Sequence, residues 1–296
     1  MSDSMLVIAP TGDGAQPGDR VQPRSRRLWR RIFGSWAVLV GTGILAFWVL
    51  CALFPDLVSP QDPLAVGGGI SQAPSSAHLF GTDPLGRDVL SRVLSGSREI
   101  LILAPLAMVI GVAGGTVLGL VAAYCGALVD DVIGRLTDAL LALPAIVVSV
   151  VVLTSLGQSK WLVATVVGFA FVLRVSRTVR AAALVESSMD YVTAARLMRE
   201  GGTRIMASEI MPNVQGTIAV EATARLGTAI FVISGLTFIG FGVQPPQPDW
   251  ALDISSNYSL LAAGIWWPVV FPASCIALLV VSVSLIADGV RKVLDS

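Results

Sequence analysis

Uncharged apolar runs alternate with short charged stretches over most of this chain, and the runs are longer than the helices of a soluble core. A helix crossing a hydrocarbon layer of about 30 Å needs roughly 20 mostly apolar residues. Residues 34–55, 100–129 and 139–159 reach that length, with Pro105 near the start of the second run and Pro144 interrupting the third. Residues 161–173 are fewer, and they form a span only with Arg174 and Arg177 at the wet end. Residues 226–243 give a fifth run, whose helix can begin as early as Gly216. Residues 265–287 give a sixth, containing Pro268 and Pro272. Barrel strands would alternate in segments of about 10 residues instead. The pattern predicts an all-α polytopic membrane protein with six transmembrane helices.

Composition agrees: 54% of the chain is hydrophobic and 14% is charged, against about 25% charged in a soluble domain. So few charges could not clothe a soluble globule of this size. The formal net charge is zero, which leaves no basic face for nucleic acid. Six arginines (Arg20, Arg24, Arg26, Arg27, Arg30 and Arg31) precede the first run, which predicts a cytoplasmic amino terminus. Six spans then return the carboxyl terminus to the same side. Of the 20 Lys and Arg, only Arg87, Arg92, Arg98 and Lys160 fall outside on this topology. Ser25-Arg26-Arg27-Leu28-Trp29 is not read as a twin-arginine signal, because the apolar run behind it is too long for a removable segment and more spans follow. Cys51, Cys125 and Cys275 read as small buried hydrophobes.

The expected organisation is a basic cytoplasmic tail at 1–33 that meets lipid headgroups, and a first transmembrane helix at 34–54. An extracytoplasmic loop at 55–97 and a five-helix core at 98–296 follow. A loop of this outer length carries a role more often than not. The core holds the largest inside loop, 186–213.

No catalytic residue and no metal site is expected. His78 is the sole histidine, so neither a zinc-protease pair nor a Ser-His pair can form. It reads as a turn or interface residue. Lys160 and Lys292 both lack the context of a Walker A loop, so the chain is expected to hydrolyse no ATP itself. An ion-coupled carrier or channel would place charged or polar groups near the bilayer midplane, whereas the central stretches of all six runs are uncharged. Glu221 and Arg225, at i,i+4 near an inner end, read as a structural ion pair.

In the inside loop, Asp190 can cap a helix with Tyr191, Ala194, Ala195 and Met198 on one face. Gly201 and Gly202 are expected to break it. A second short helix follows, with Met206 and Ile210 on one face and Pro212 near its end. The hairpin suits insertion into a groove on a soluble partner, or a seat on the lipid surface.

This loop resembles the cytoplasmic EAA loop of bacterial ABC-importer permeases, through Ala194-Ala195 and Ile210-Met211-Pro212. Thr193 replaces the usual Glu, and Arg199 stands at the usual Gly position. In the outer loop, residues 78–92 (HLFGTDPLGRDVLSR) resemble the signature of C-type permease subunits of dipeptide, oligopeptide and nickel importers. Its candidate functional residues are Gly81, Thr82, Asp83, Gly86, Arg87, Asp88 and Arg92. Residues 135–144, 238–250 and 287–291 agree further, apart from Ala251, where the family has Gly. The resemblance covers roughly residues 30–296. It implies the type I ABC-importer permease fold in a bacterial inner membrane. It also implies a heterodimer with a homologous permease subunit, two ATPase subunits that carry the ATP and Mg, and an extracytoplasmic substrate-binding protein. Peptides are the implied cargo, with nickel, haem or glutathione as alternatives.

From the residues alone, Gly81, Pro84 and Gly86 make consecutive turns and Asp88 caps the next helix. Val89, Leu90, Val93 and Leu94 form a stripe opposite Arg92 and Ser95, as in a helix lying along the membrane surface. The loop 244–264, with Pro245, Pro246, Pro248 and Trp250, is the other rigid outer segment.

Overall fold

The computed structural model describes residues 35–67 and 69–294, so the expected basic tail lies outside the described residues. The chain runs through α1 (Trp36–Leu53), α2 (Pro55–Val58), α3 (Val89–Tyr124), α4 (Ala127–Leu141) and α5 (Ala145–Leu156). It continues through α6 (Lys160–Ser187), α7 (Asp190–Leu197), α8 (Gly202–Phe238), α9 (Trp250–Asn257) and α10 (Trp267–Leu294). Five of these, α1, α3, α6, α8 and α10, are long and apolar enough to cross a membrane. The pair α4 and α5 passes the same test together but is bent by 85°. Counted as one broken span, it makes the sixth. The bend falls at Pro144, which takes φ −60° and ψ 116°. Proline has no N–H to donate and forces the residue before it away from helical geometry.

Two short helices expected from the sequence are the first turns of spans. The stripe beginning at Val89 opens α3, a single helix of 36 residues, rather than a separate helix lying along the surface. Arg92 and Ser95, expected to face water, are buried: α9 and the loop before it cover Arg92, and Ser95 bonds to Ser59 beyond α2. The second helix of the inside hairpin likewise runs on into the fifth span as α8. Pro212 does not end it. A proline ring collides with the carbonyl four residues back, here that of Ser208. Residues Ile205–Ile210 are π-helical, and this wider turn supplies the room.

Helix packing follows the small residues. Gly111, Gly115 and Gly119 recur every fourth position along α3 and lie against α6. A Cβ at Gly119 would stand 2.7 Å from the carbonyl oxygen of Ser176. Lipid provides no hydrophobic drive between spans, so close backbone approach and dispersion take its place. Gly41 of α1 meets α10 the same way: a Cβ there would stand 2.7 Å from the Ser282 carbonyl oxygen. α8 crosses α3, α6 and α10, and the central cluster includes Leu103, Ala107, Val167, Phe171, Ile230, Ile233 and Leu279.

The broken span is packed least. Thr137 is the only buried residue of α4, and Ser149 and Leu153 are the only ones of α5. Val132, Leu136, Val147 and Val151 are exposed. Cys51 and Cys275 are buried as expected, whereas Cys125, just past the end of α3, is exposed.

Candidate functional site

Chemistry-bearing residues gather at the two ends of the bundle. At one end, residues 78–92 fold into a turn held by hydrogen bonds within the segment and to the chain around it. Asp83 accepts from the backbone N–H of Leu85 and of Arg87, both at 2.9 Å, and its second oxygen takes the Arg87 Nε at 2.6 Å. Asp88 caps α3, accepting from the Ser91 N–H at 2.8 Å, and lies 3.0 Å from His78 Nδ1. Thr82 donates to the Gly69 carbonyl at 2.6 Å and accepts from the Gln72 N–H at 2.8 Å. Gly81 has φ +74°, and a Cβ there would lie 2.7 Å from the indole nitrogen of Trp267. That position accepts only glycine without strain. Gly86, at φ +75°, turns the chain back toward Arg87.

Arg92 ties this turn to the rest of that end. It is 3% exposed. Its Nε meets both oxygens of Asp253 in α9, at 3.0 and 3.2 Å, and a terminal nitrogen lies 2.5 Å from Asp253 Oδ1. The guanidinium also donates to the carbonyls of Pro63, Pro246 and Gln247 at 3.2 to 3.4 Å. One side chain thus gathers the loop before α3, the loop after α8, and α9. Two indoles add to it: Trp250 donates to the Val93 carbonyl at 2.7 Å and Trp267 to that of Thr82 at 2.9 Å. Asp249 caps α9 through the Leu252 N–H at 3.0 Å. Burial pushes its carboxyl up to about 7, against the pull of its backbone hydrogen bonds. Ala251 is buried beneath this cover.

The opposite end carries α7. The helix begins at Asp190 but Asp190 is not its cap. Met189 holds that position without a side-chain bond, leaving Asp190 as an acidic first-turn residue that favours the helix dipole. The expected face of Tyr191, Ala194, Ala195 and Met198 divides. Val192 and Ala195, three residues apart, are buried, with Ala195 3% exposed. They sit on Leu120, Val175, Val179, Ile205, Ile210 and Val214, contributed by α3, α6 and α8. The reading of Ala195 as a partner-facing residue is therefore corrected, since these three helices already cover it. Ile210 is inward too, while Pro212 is exposed. Tyr191, Ala194, Leu197 and Met198 point outward, Leu197 being 80% and Met198 69% exposed.

The turn after α7 does not begin at Gly201. Arg199 adopts φ +57°, so the left-handed residue of the turn is Arg199, two positions before the glycine pair. A non-glycine residue there is strained. Gly201 is the extended residue before α8. Gly202 answers a different demand, because a Cβ on it would lie 2.7 Å from the Tyr124 ring. Arg196 covers the same ring, its guanidinium 5.0 Å from the centroid. Tyr191 donates to Glu186 at 2.6 Å and accepts from the Asn213 amide at 3.1 Å, linking α7 to the end of α6 and to α8.

Glu221 and Arg225 pair at 2.9 Å, and Thr178 of α6 donates to the other Glu221 oxygen at 3.0 Å. Two further pairs, Arg180–Asp130 and Arg177–Asp138, tie α4 to α6. Among the described residues no group of three His, Cys, Asp or Glu could hold a metal ion. Sequence reasoning missed Asp253 as the partner of Arg92 and Val192 as the seat of α7. The first had no local signal. The second was visible as the apolar residue three positions before Ala195.

The family described as binding-protein-dependent transport system inner membrane component matches residues 115–296. The di/tripeptide transport system permease protein DppC of Pseudomonas aeruginosa is 35% identical over 279 residues, covering 91% of this chain and 91% of its own length. The dipeptide transport system permease protein DppC of Escherichia coli is 35% identical over 277 residues, covering 91% and 92%. That of Alkalihalophilus pseudofirmus is 30% identical over 292 residues, covering 98% and 96%.

Proposed function

Because this chain belongs to the family of inner membrane components of binding-protein-dependent transport systems, we propose that it is a permease subunit of an ATP-driven importer of di- or oligopeptides. Relatives named for dipeptide transport match nearly the whole length of the chain, which supports that cargo. In this reading the α7 end is cytoplasmic, as are both termini, and the α9 end faces outward. A homologous permease completes the translocation path, two ATPase subunits supply the ATP and Mg, and an extracytoplasmic binding protein delivers the peptide. The exposed apolar residues of α4 and α5 supply a surface for the second permease, since an apolar helix face needs a lipid or protein neighbour.

One observation carries the mechanism. α7 has two faces, one seated on the ends of three spans and one bare. A partner gripping Tyr191, Ala194, Leu197 and Met198 would move Val192 and Ala195 against α3, α6 and α8 together. ATP binding would close the ATPase pair and pull α7 with it, shifting a two-state equilibrium between inward-open and outward-open forms. Asp190, Gly201, Gly202 and Pro212 shape the loop that carries this motion. The turn of Gly81 to Arg92 would hold the outer end as one body, while Glu221, paired with Arg225 inside α8, accepts from Thr178 and ties α8 to α6.

The test is assembly and uptake. Mild detergent extraction from the host should recover a second permease and ATPase subunits with this chain. The reconstituted set should take up a dipeptide only with ATP and binding protein. A homodimer that transports unaided would overturn the reading. Orientation is checked separately, in a cysteine-free background. Ser75→Cys should react with an impermeant thiol reagent from outside, and Ser208→Cys only after the membrane is opened.

A further inference from the structure

At the α9 end a cleft of about 610 Å³ opens between α2, the start of α3 and the start of α6. Its volume lies within the range of about 300–1,000 Å³ usual for small-ligand sites. Asp56, Asp62, Arg98, Glu99, Lys160 and Trp161 line it. Two of these charges neutralise each other, since Lys160 lies 2.9 Å from both oxygens of Glu99. Arg98 is exposed, with no carboxylate within 4.0 Å among the described residues. It also lines a second, apolar cavity of about 410 Å³ between α1, α3, α8 and α10 and is the only charged residue there. An unpaired guanidinium therefore stands where a polar cleft meets an apolar one. Asp56 and Asp62, both exposed, line the polar side.

We propose that this cleft is a binding subsite for the zwitterionic peptide itself, with Arg98 holding the free carboxylate. The guanidinium fork matches a carboxylate bidentately. The peptide ammonium meets Asp56 or Asp62, and the terminal apolar side chain enters the cavity beside Leu101, Pro105 and Ile230. Trp161, half exposed beside Lys160, gives the peptide backbone a flat wall. Such a site would receive the peptide as the binding protein releases it, and it would add a selectivity step within the membrane subunit. The proposal rests on the peptide reading above.

The test uses the assembled importer in nanodiscs without its binding protein, titrated calorimetrically with alanyl-phenylalanine and with its carboxyl-terminal amide. The wild type should bind the free acid and lose tenfold or more with the amide. Arg98→Gln should bind acid and amide alike, at the weaker level, and Arg98→Lys should recover part of the difference. Arg98→Gln should be recovered with its partner subunits in the wild-type amount by size exclusion and should melt at the wild-type temperature, which reports that the variant is folded and assembled. No binding by the wild type, or equal binding of the acid by wild type and Arg98→Gln, would overturn the subsite. If the complete wild-type importer takes up no dipeptide at all, the peptide reading falls as well. If it does take up dipeptide while the titrations fail, only the subsite falls.

Discussion

The two ends of the bundle are held by different physics. At the α9 end, cohesion comes from directional bonds between buried charges and backbone groups, with Arg92 alone joining three segments. At the α7 end, an eight-residue helix rests on aliphatic side chains from three spans. Its polar ties, such as Tyr191 to Glu186, lie at the exposed rim. A buried ion pair loses its balance when one partner moves by an ångström. An aliphatic seat tolerates sliding, because dispersion contacts have no fixed direction. The difference assigns rigidity to one end and motion to the other, which is what the proposed importer needs if cargo arrives at the α9 end and force at the α7 end.

The largest expected effect is at the rigid end. Arg92→Ala leaves Asp253 buried without its cation, at a cost of about 3–5 kcal/mol. The variant should fall to a small fraction of the wild-type amount in membranes by quantitative immunoblot. The double change Arg92→Met with Asp253→Leu should recover most of it, because an apolar pair of similar volume avoids the stranded charge. If the single variant accumulates normally, the outer end is not held by this pair.

A smaller effect is expected at the seat. Val192→Ala removes two methyl groups from a buried contact, at about 2 kcal/mol. It should leave the membrane amount near normal and lower the melting temperature of the purified complex by a few degrees. A collapse as complete as that of Arg92→Ala would erase the distinction between the ends.

The smallest is a pH dependence. The Asp249 carboxyl titrates near 7 in the folded chain and near 3.8 when exposed. The folded state then binds more protons between those values, so stability falls as pH rises from about 4 to 7 and is flat above. Asp249→Asn keeps a capping oxygen and removes the charge. The melting temperature of the variant complex should exceed that of the wild type at pH 8, with the gap closing toward pH 5. A gap that does not change with pH would show that Asp249 carries no such titration.

What could be read from the sequence follows from what is local. The apolar spans, the Asp88 cap and the Glu221–Arg225 pair each depend on residues near one another in the chain, and the structure has all of them, though α3 and α8 run longer than the apolar runs that mark them. The Gly111, Gly115 and Gly119 repeat is equally local and marks the contact of α3 with α6. Arg92 and Asp253 are 161 positions apart, and nothing near Arg92 distinguishes an arginine on a wet face from one under a lid. The reversal of Ala195 has a similar origin. Periodicity finds the faces of a short helix, but it does not say which is taken by the chain itself and which is left for a partner. Pro212 was misread because a π-helical turn upstream relieves the clash that normally ends a helix. Arg199 takes the turn position although its backbone there is left-handed and its side chain is exposed.

The central claim is that the bare face of α7 receives the force of the ATPase subunits. Ala194→Glu tests it most directly, since Ala194 lies on that face and outside the seat. A charged side chain forced into a close apolar contact typically costs a few kcal/mol, and 1.4 kcal/mol is already tenfold in occupancy. The measurement is ATP-dependent dipeptide uptake by the complete reconstituted importer, with membrane amount and ATPase activity read in parallel. The account predicts a normal amount of Ala194→Glu in the membrane and uptake reduced at least tenfold, with ATPase subunits lost or turning over without transport. Uptake equal to that of the wild type in a fully assembled complex would contradict it.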